Sequence, residues 1–291
     1  MTHLMERKIY EVAGHRFAVT ADEALTRQMT QYAPFAVDDD GSNPVFCLTE
    51  VGEEPFPDSA MTVETTQDDD GSQIVAGHTA DGSSYFEFLL FGDRSARIIA
   101  SPDYKSAKVW LDKHQLFGIN NALMVMYALA TANLRTALFH SAVVSRGGRG
   151  YMFLGKSGTG KSTHASLWCR YLEGTELVND DNPVVRLLEN GEVWVYGSPW
   201  SGKTPCYKNE KAPVQALVQL AQAPENKIVR LRMTQAYPYI LSSVSGLKVL
   251  PQMMDKLYES IAKLLELSPV YRLECLPEPS AAQLCAQTCS L

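Results

Sequence analysis

Residues 151–168, YMFLGKSGTGKSTHASLW, constrain the fold more than any other stretch of the chain. Tyr151 to Leu154 form an unbroken apolar run that reads as a buried strand. After a short glycine-rich segment, Ala165, Trp168, Cys169 and Leu172 recur on one helical face. A strand passing through a glycine turn into a helix commits this half of the chain to a sheet with a helix packed on it. The turn itself, Gly155 to Ser162, matches GxxxxGK[ST]. Each residue type has a physical reason. Glycines let backbone N–H groups turn inward around phosphate oxygens, and the following helix aims its positive N-terminus at the anion. Lys161 sets a cation at the β- and γ-phosphates, and the Ser162 hydroxyl suits Mg2+. The expected phosphate cradle is therefore Gly155, Lys156, Ser157, Gly158, Thr159, Gly160, Lys161, Ser162 and Thr163.

A second segment, Gly197 to Thr204, fits the same expression, so context has to separate the two. It runs into Pro205 and then CYKNEKAP, which has no helical periodicity, and Pro199 removes one N–H from the loop. The reading is that residues 155–162 hold the nucleotide. Residues 197–204 are expected to form a loop beside the site, with Lys203 able to contact substrate or phosphate.

A magnesium–nucleotide site also needs carboxylates. LVNDD supplies Asp180 and Asp181 at the end of an apolar run, eighteen residues after Ser162, which leaves room for one helix and a return strand. Adjacent side chains in a strand point to opposite faces, so both can approach the phosphates only if a turn begins there. Metal ligand and general base are the roles open to them, and a solvated turn or helix cap before Asn182-Pro183 is the plain alternative. His140 reads as a mid-strand residue of ALFHSAVV, able to reach a γ-phosphate if its strand neighbours the one leading into the loop.

The remaining segments predict two domains. Residues 1–112 read as a β-rich domain, with a hairpin turning at Gly14, further short strands, and one helix at DEALTRQMTQYA. The Asp-Gly pairs in its DDDGS and ADGSS repeats read as hairpin turns, since the spacing of a calcium loop is missing. LFGINNALMVMYALATANLR predicts a connecting helix, with Leu123, Met126, Leu129 and Leu134 on its apolar face, leading into a mixed α/β domain over 113–291. The net charge of -7 and the lack of a basic stripe argue against a nucleic-acid partner. No apolar run reaches membrane-spanning length, and the six scattered cysteines contain no CxxC pair, so a reduced cytoplasm is expected.

FHSAVVSRGGRGYMFLGKSGTGKST followed by LVNDDNPVVRL resembles the catalytic domain of HPr kinase/phosphorylase. That family shares its fold with ATP-dependent phosphoenolpyruvate carboxykinase. The resemblance covers about residues 135–220. It implies a phosphoenolpyruvate carboxykinase-like kinase domain behind the smaller β-rich one, using ATP and Mg2+. His140, Lys161 and Asp181 fall on catalytic positions, with Ser162, Asp180 and Asp181 at the metal and Asp181 as the proton acceptor. Thr163 stands where the family carries Glu, and WSGKTPCYKNEKA replaces its second signature, so phosphorolysis and its carrier-protein substrate are not carried over. The expected activity is phosphoryl transfer to a hydroxyl on a protein, peptide or small molecule, in a chain that could form homo-oligomers. A nucleotide-binding regulatory protein without turnover is the alternative.

Overall fold

The computed structural model describes residues 4–52, 54–57, 61–69, 71–202, 204–245 and 251–290. By their contacts these fall into two units, one reaching Thr131 and the other starting at Ala132. Each is mixed α/β and built on its own mixed sheet.

The first unit contains β1 (Met5–Val12), β2 (His15–Asp22), β3 (Ala36–Val37), β4 (Phe46–Glu50), β5 (Met61–Asp69), β6 (Ser72–Thr79), β7 (Ser84–Leu90), β8 (Asp93–Ala100) and β9 (Ser106–Leu111), with α1 (Glu23–Gln28) and α2 (Gln115–Thr131). Its sheet runs β3-β1-β2-β4-β9-β8-β7-β6-β5. The β1–β2 hairpin turns where expected, on Ala13 and Gly14, both at positive φ. The helix expected over DEALTRQMTQYA is shorter: α1 stops at Gln28, and a 3-10 turn follows over Thr30–Phe35. Helix α2 packs against β7, β8 and β9, so contacts assign it to the first unit, beyond the boundary expected at 112. Leu123, Met126 and Leu129 are buried as anticipated, whereas Leu134 lies past the helix end and is exposed. Among the described residues, no helix is long and apolar enough to cross a membrane.

The second unit holds β10 (Thr136–Phe139), β11 (Ser141–Arg146), β12 (Arg149–Leu154), β13 (Thr175–Asp181), β14 (Val184–Leu187), β15 (Val193–Tyr196), β16 (Lys211–Gln222), β17 (Lys227–Arg230), β18 (Val244–Ser245) and β19 (Val270–Cys275). Its helices are α3 (Lys161–Tyr171), α4 (Met233–Ser243), α5 (Pro251–Leu267) and α6 (Pro279–Cys289). The sheet order is β13-β11-β12-β16-β15-β14-β10-β18, with β19 pairing both β16 and β17. Strands β12, β16 and β19 run parallel to one another. Their apolar runs are continuous rather than alternating because both faces are covered. Tyr151, Phe153 and Val218 pack with Trp168 and Cys285 on the α3/α6 side. Met152, Leu154 and Leu217 face Ile240, Ile261 and Leu264 on the α4/α5 side.

The long strand β16 joins two halves of this sheet. Its first residues pair with β15, and the remainder pairs with β12 and β19. The chain crosses between the same halves at two more places. It passes from β10 to β11 at His140, and from β13 to β14 at Asn182-Pro183.

Candidate functional site

The glycine-rich loop that follows Leu154 connects β12 to α3, as the sequence predicts. Gly158 and Gly160 have φ of 77° and 104°. A Cβ at either would meet nothing within 4 Å, so conformation rather than space demands glycine there. Gly160 is the N-cap of α3 and carries no side-chain cap, an arrangement that can receive an anion at the first-turn N–H groups. The Lys161 side chain is only 8% exposed. Its Nζ lies 2.8 Å from His140 Nε2 and donates to Gly155 O at 2.9 Å and Lys156 O at 3.4 Å.

His140 is not mid-strand. The strand expected over ALFHSAVV is broken at this residue, because β10 pairs with β14 and β18 while β11 pairs with β12 and β13. Freed from both ladders, the His140 N–H donates to Ser243 O at 2.6 Å, and the ring hangs at the corner between the two halves of the sheet. There it bridges Lys161 and Asp181, with Nδ1 2.9 Å from Asp181 Oδ1. An ammonium can only donate, so Nε2 accepts from Lys161 and the ring proton is assigned to Nδ1, where it is given to Asp181.

Asp180 reaches the loop directly, and Asp181 reaches Lys161 through His140. Asp180 Oδ1 accepts from Ser162 Oγ at 2.8 Å, while Asp181 turns to His140 and takes a second bond, on Oδ2, from Asn182 Nδ2 at 2.8 Å. The backbone at Asp181 makes this divergence possible: φ is 151°, outside the normal range for a side-chain-bearing residue, and the residue bridges to Ser201.

Among its described residues the second glycine-rich segment forms no strand–loop–helix unit. It is a loop braced against the acid pair. Gly202 N donates to Asp180 O at 2.6 Å, and a Cβ on Gly202 would stand 3.1 Å from Asp181 Cβ. Trp200 is buried beneath it. Lys203 lies outside the described residues.

Asn179 and Ser198, which sequence reasoning missed, tie this loop to the acids. Asn179 is fully buried. Its Nδ2 lies 3.2 Å from Ser198 Oγ and 3.4 Å from Trp200 O, and its Oδ1 accepts from Asn182 N at 3.0 Å. The available signal was an amide directly before the acid pair in LVNDD. Asn179→Ala is expected to strand these buried groups and destabilise the unit by roughly 1–3 kcal/mol, seen as a lowered melting temperature.

His164, one turn into α3, is buried, packs edge-on against Phe153 at 4.7 Å between ring centroids, and accepts from Trp168 Nε1 at 3.0 Å. Burial pushes its imidazole down to about 4. As pH falls below about 6.5 the unfolded chain binds a proton that the folded chain refuses. Stability is therefore expected to fall by up to about 3 kcal/mol on going from neutral pH towards pH 4, with the slope flattening below that. Thermal melts of wild type and His164→Gln between pH 7 and 5 check this; a slope that survives in the variant would overturn it.

Two cavities flank the loop. One, about 420 Å³, lies on the α3 side against Gly160, Thr163, Leu167, Leu220, Leu276 and Pro277. The other, about 460 Å³, opens beside Gly155 and Lys156. Among the described residues no cluster of three or more His, Cys, Asp or Glu side chains is arranged for a metal ion. Ser162 and Asp180 nonetheless form an oxygen pair of the kind Mg2+ takes when phosphate oxygens and waters fill its other positions. No protein-family model matches the chain, and no curated protein is significantly similar to it.

Proposed function

We propose that the chain is an ATP-dependent phosphotransferase whose second unit has the phosphoenolpyruvate carboxykinase-like fold, related to HPr kinase, and that it transfers the γ-phosphoryl group to a hydroxyl. One observation carries the reading: Lys161, His140 and Asp181 form a continuous hydrogen-bonded chain, beside a second pair made by Ser162 and Asp180. A protein that only held a nucleotide would need the loop and its lysine. A carboxylate oriented by a histidine that also touches that lysine favours turnover.

The roles follow from the chemistry. Phosphate binding exchanges the Lys161 bonds to Gly155 O and Lys156 O for phosphate oxygens, which sets the cation against the developing charge. His140 holds both Lys161 and Asp181 in place and lies near the transferring group. Asp181, oriented by His140 and Asn182, accepts the proton of the attacking hydroxyl. Ser162 and Asp180 are the residues to hold Mg2+, which when bound neutralises charge on the β- and γ-oxygens. The apolar walls of the α3-side cavity suit the nucleobase, because Thr163 follows the Lys-Ser pair away from the γ end. The ATP requirement and six free thiols support a cytoplasmic setting.

Calorimetric titration of the full chain with ATP–Mg, followed by tracing the label from γ-labelled ATP into acceptor hydroxyls, tests the proposal. Failure of the chain to bind ATP–Mg would end it.

A further inference from the structure

The cavity beside Gly155 and Lys156 adjoins the one suited to a nucleobase, sharing Gly158, Thr159, Leu220 and Gln222 with it, and its position further along the loop gives it a use. Lys161 Nζ, the group that meets the β- and γ-phosphates, lies against Gly155 O and Lys156 O, the two residues at which this cavity opens. Tyr239 and Ser242 of α4 form its far wall, and the next residue, Ser243, receives the His140 N–H at 2.6 Å. The cavity therefore lies on the α4 side of the loop, one residue along the chain from the Ser243 carbonyl that holds the His140 N–H.

Apart from Lys156 at its mouth, its lining is uncharged and rich in hydrogen-bonding groups. Gln219 Nε2 donates to Leu220 O at 3.1 Å and Gln222 Nε2 to Gly158 O at 3.2 Å, which leaves both amide oxygens to accept. Ser242 Oγ gives its hydrogen to Tyr239 O at 2.9 Å and likewise keeps lone pairs for a ligand. Tyr239 is the opposite case. Its phenolic oxygen accepts from Arg272 Nη1 at 3.0 Å, so its own O–H hydrogen is turned elsewhere and left to donate. Arg272 Nε is itself buried without a partner among the described residues, which ties that guanidinium to Tyr239 and Glu274. Among the described residues no carboxylate lines the cavity.

We infer that this cavity receives the phosphoryl acceptor, and that the acceptor is a small neutral polyhydroxylated molecule of the sugar or polyol class. The inference rests on the kinase reading above. Several ligand O–H groups find acceptors in Gln219, Gln222 and Ser242, and one ligand oxygen finds a donor in Tyr239. An ammonium group meets no carboxylate there. An anionic acceptor finds one cation, the solvent-exposed Lys156, against three side-chain oxygens and the γ-phosphate itself. A volume of about 460 Å³ is that of a small-molecule site. In the transfer, the acceptor oxygen bonds to the γ-phosphorus as that phosphorus parts from the β–γ bridging oxygen. ADP leaves with the electron pair, and the hydroxyl proton passes to Asp181.

The test uses the full chain with γ-labelled ATP–Mg and a panel of glucose, ribose, glycerol and inositol, set against glycerate, free serine and a serine-containing peptide. Label is expected in at least one neutral member. Tyr239→Phe and Gln219→Ala should each raise its KM about 5- to 10-fold, the worth of one hydrogen bond, while ATP–Mg affinity by calorimetry stays unchanged. Transfer confined to glycerate, serine or the peptide overturns the inference. So does a chain that binds ATP–Mg yet labels nothing on the panel, or a KM indifferent to both substitutions. A wild-type chain that does not bind ATP–Mg removes the kinase reading and this inference together.

Discussion

Lys161→Ala is expected to abolish measurable ATP–Mg binding by calorimetry and to lower any phosphoryl transfer by roughly 10²–10³-fold, the usual effect of deleting one preorganised electrostatic group. The physical case is that Lys161 is the buried cation of the cradle, and its Nζ touches both the loop carbonyls and His140. Removing it takes away the charge proposed to meet the β- and γ-phosphates and frees His140 Nε2. Folding should survive. His140 is 37% exposed, so water can take the vacated position. A melt of the variant checks this. Lys156→Ala is the matched control, because that side chain is exposed on the same loop and is expected to matter much less. Equal ATP–Mg binding by wild type and Lys161→Ala would sink the assignment of the nucleotide to residues 155–162 and turn attention to residues 197–204.

Asp181→Asn should behave differently. ATP–Mg binding is expected to persist, because Ser162 and Asp180 remain paired and the loop is untouched. Transfer is expected to fall by about 10²–10⁴-fold, the range for a lost general base. An amide in place of the carboxylate can still take the His140 proton on its oxygen, so the geometry is largely kept while the capacity to accept a proton is gone. A variant that binds and transfers like wild type would show that Asp181 is a structural partner of His140 and Asn182 only. Loss of binding together with transfer would move Asp181 into the metal site, and the two measurements separate these cases.

The parts of this site that were legible in the sequence are the parts made by neighbouring residues. The strand, glycine turn and helix over residues 151–171 are a local unit, and the periodicity of Ala165 and Trp168 sufficed to separate it from the look-alike at 197–204. The Asp180–Asp181 pair was visible as a pair. Whether both could face the loop was not, because the answer depends on the Asp181 backbone and on Ser201 and Gly202 arriving from a distant segment. His140 looked like a strand residue because ALFHSAVV has no local signal for a break. The break is imposed by two different sets of pairing partners. Helix α4 went unread for another reason. Pro238 sits inside it and reads as a helix breaker in sequence, yet α4 supplies Tyr239, Ser242 and Ser243 at the edge of the site.

The shared strand β16 has a consequence for how the molecule acquires its function during synthesis. Strand β12, which launches the phosphate loop, is flanked by β11 on one side and by β16 in parallel on the other. Strand β16 follows the acid pair and the 197–204 loop in the chain and is synthesised after both. Parallel pairing across so long an interval is a slow, non-local closure. A nascent chain that ends before Gln222 thus carries every residue of the nucleotide motif without the sheet that aims them, and competence arrives late and all at once.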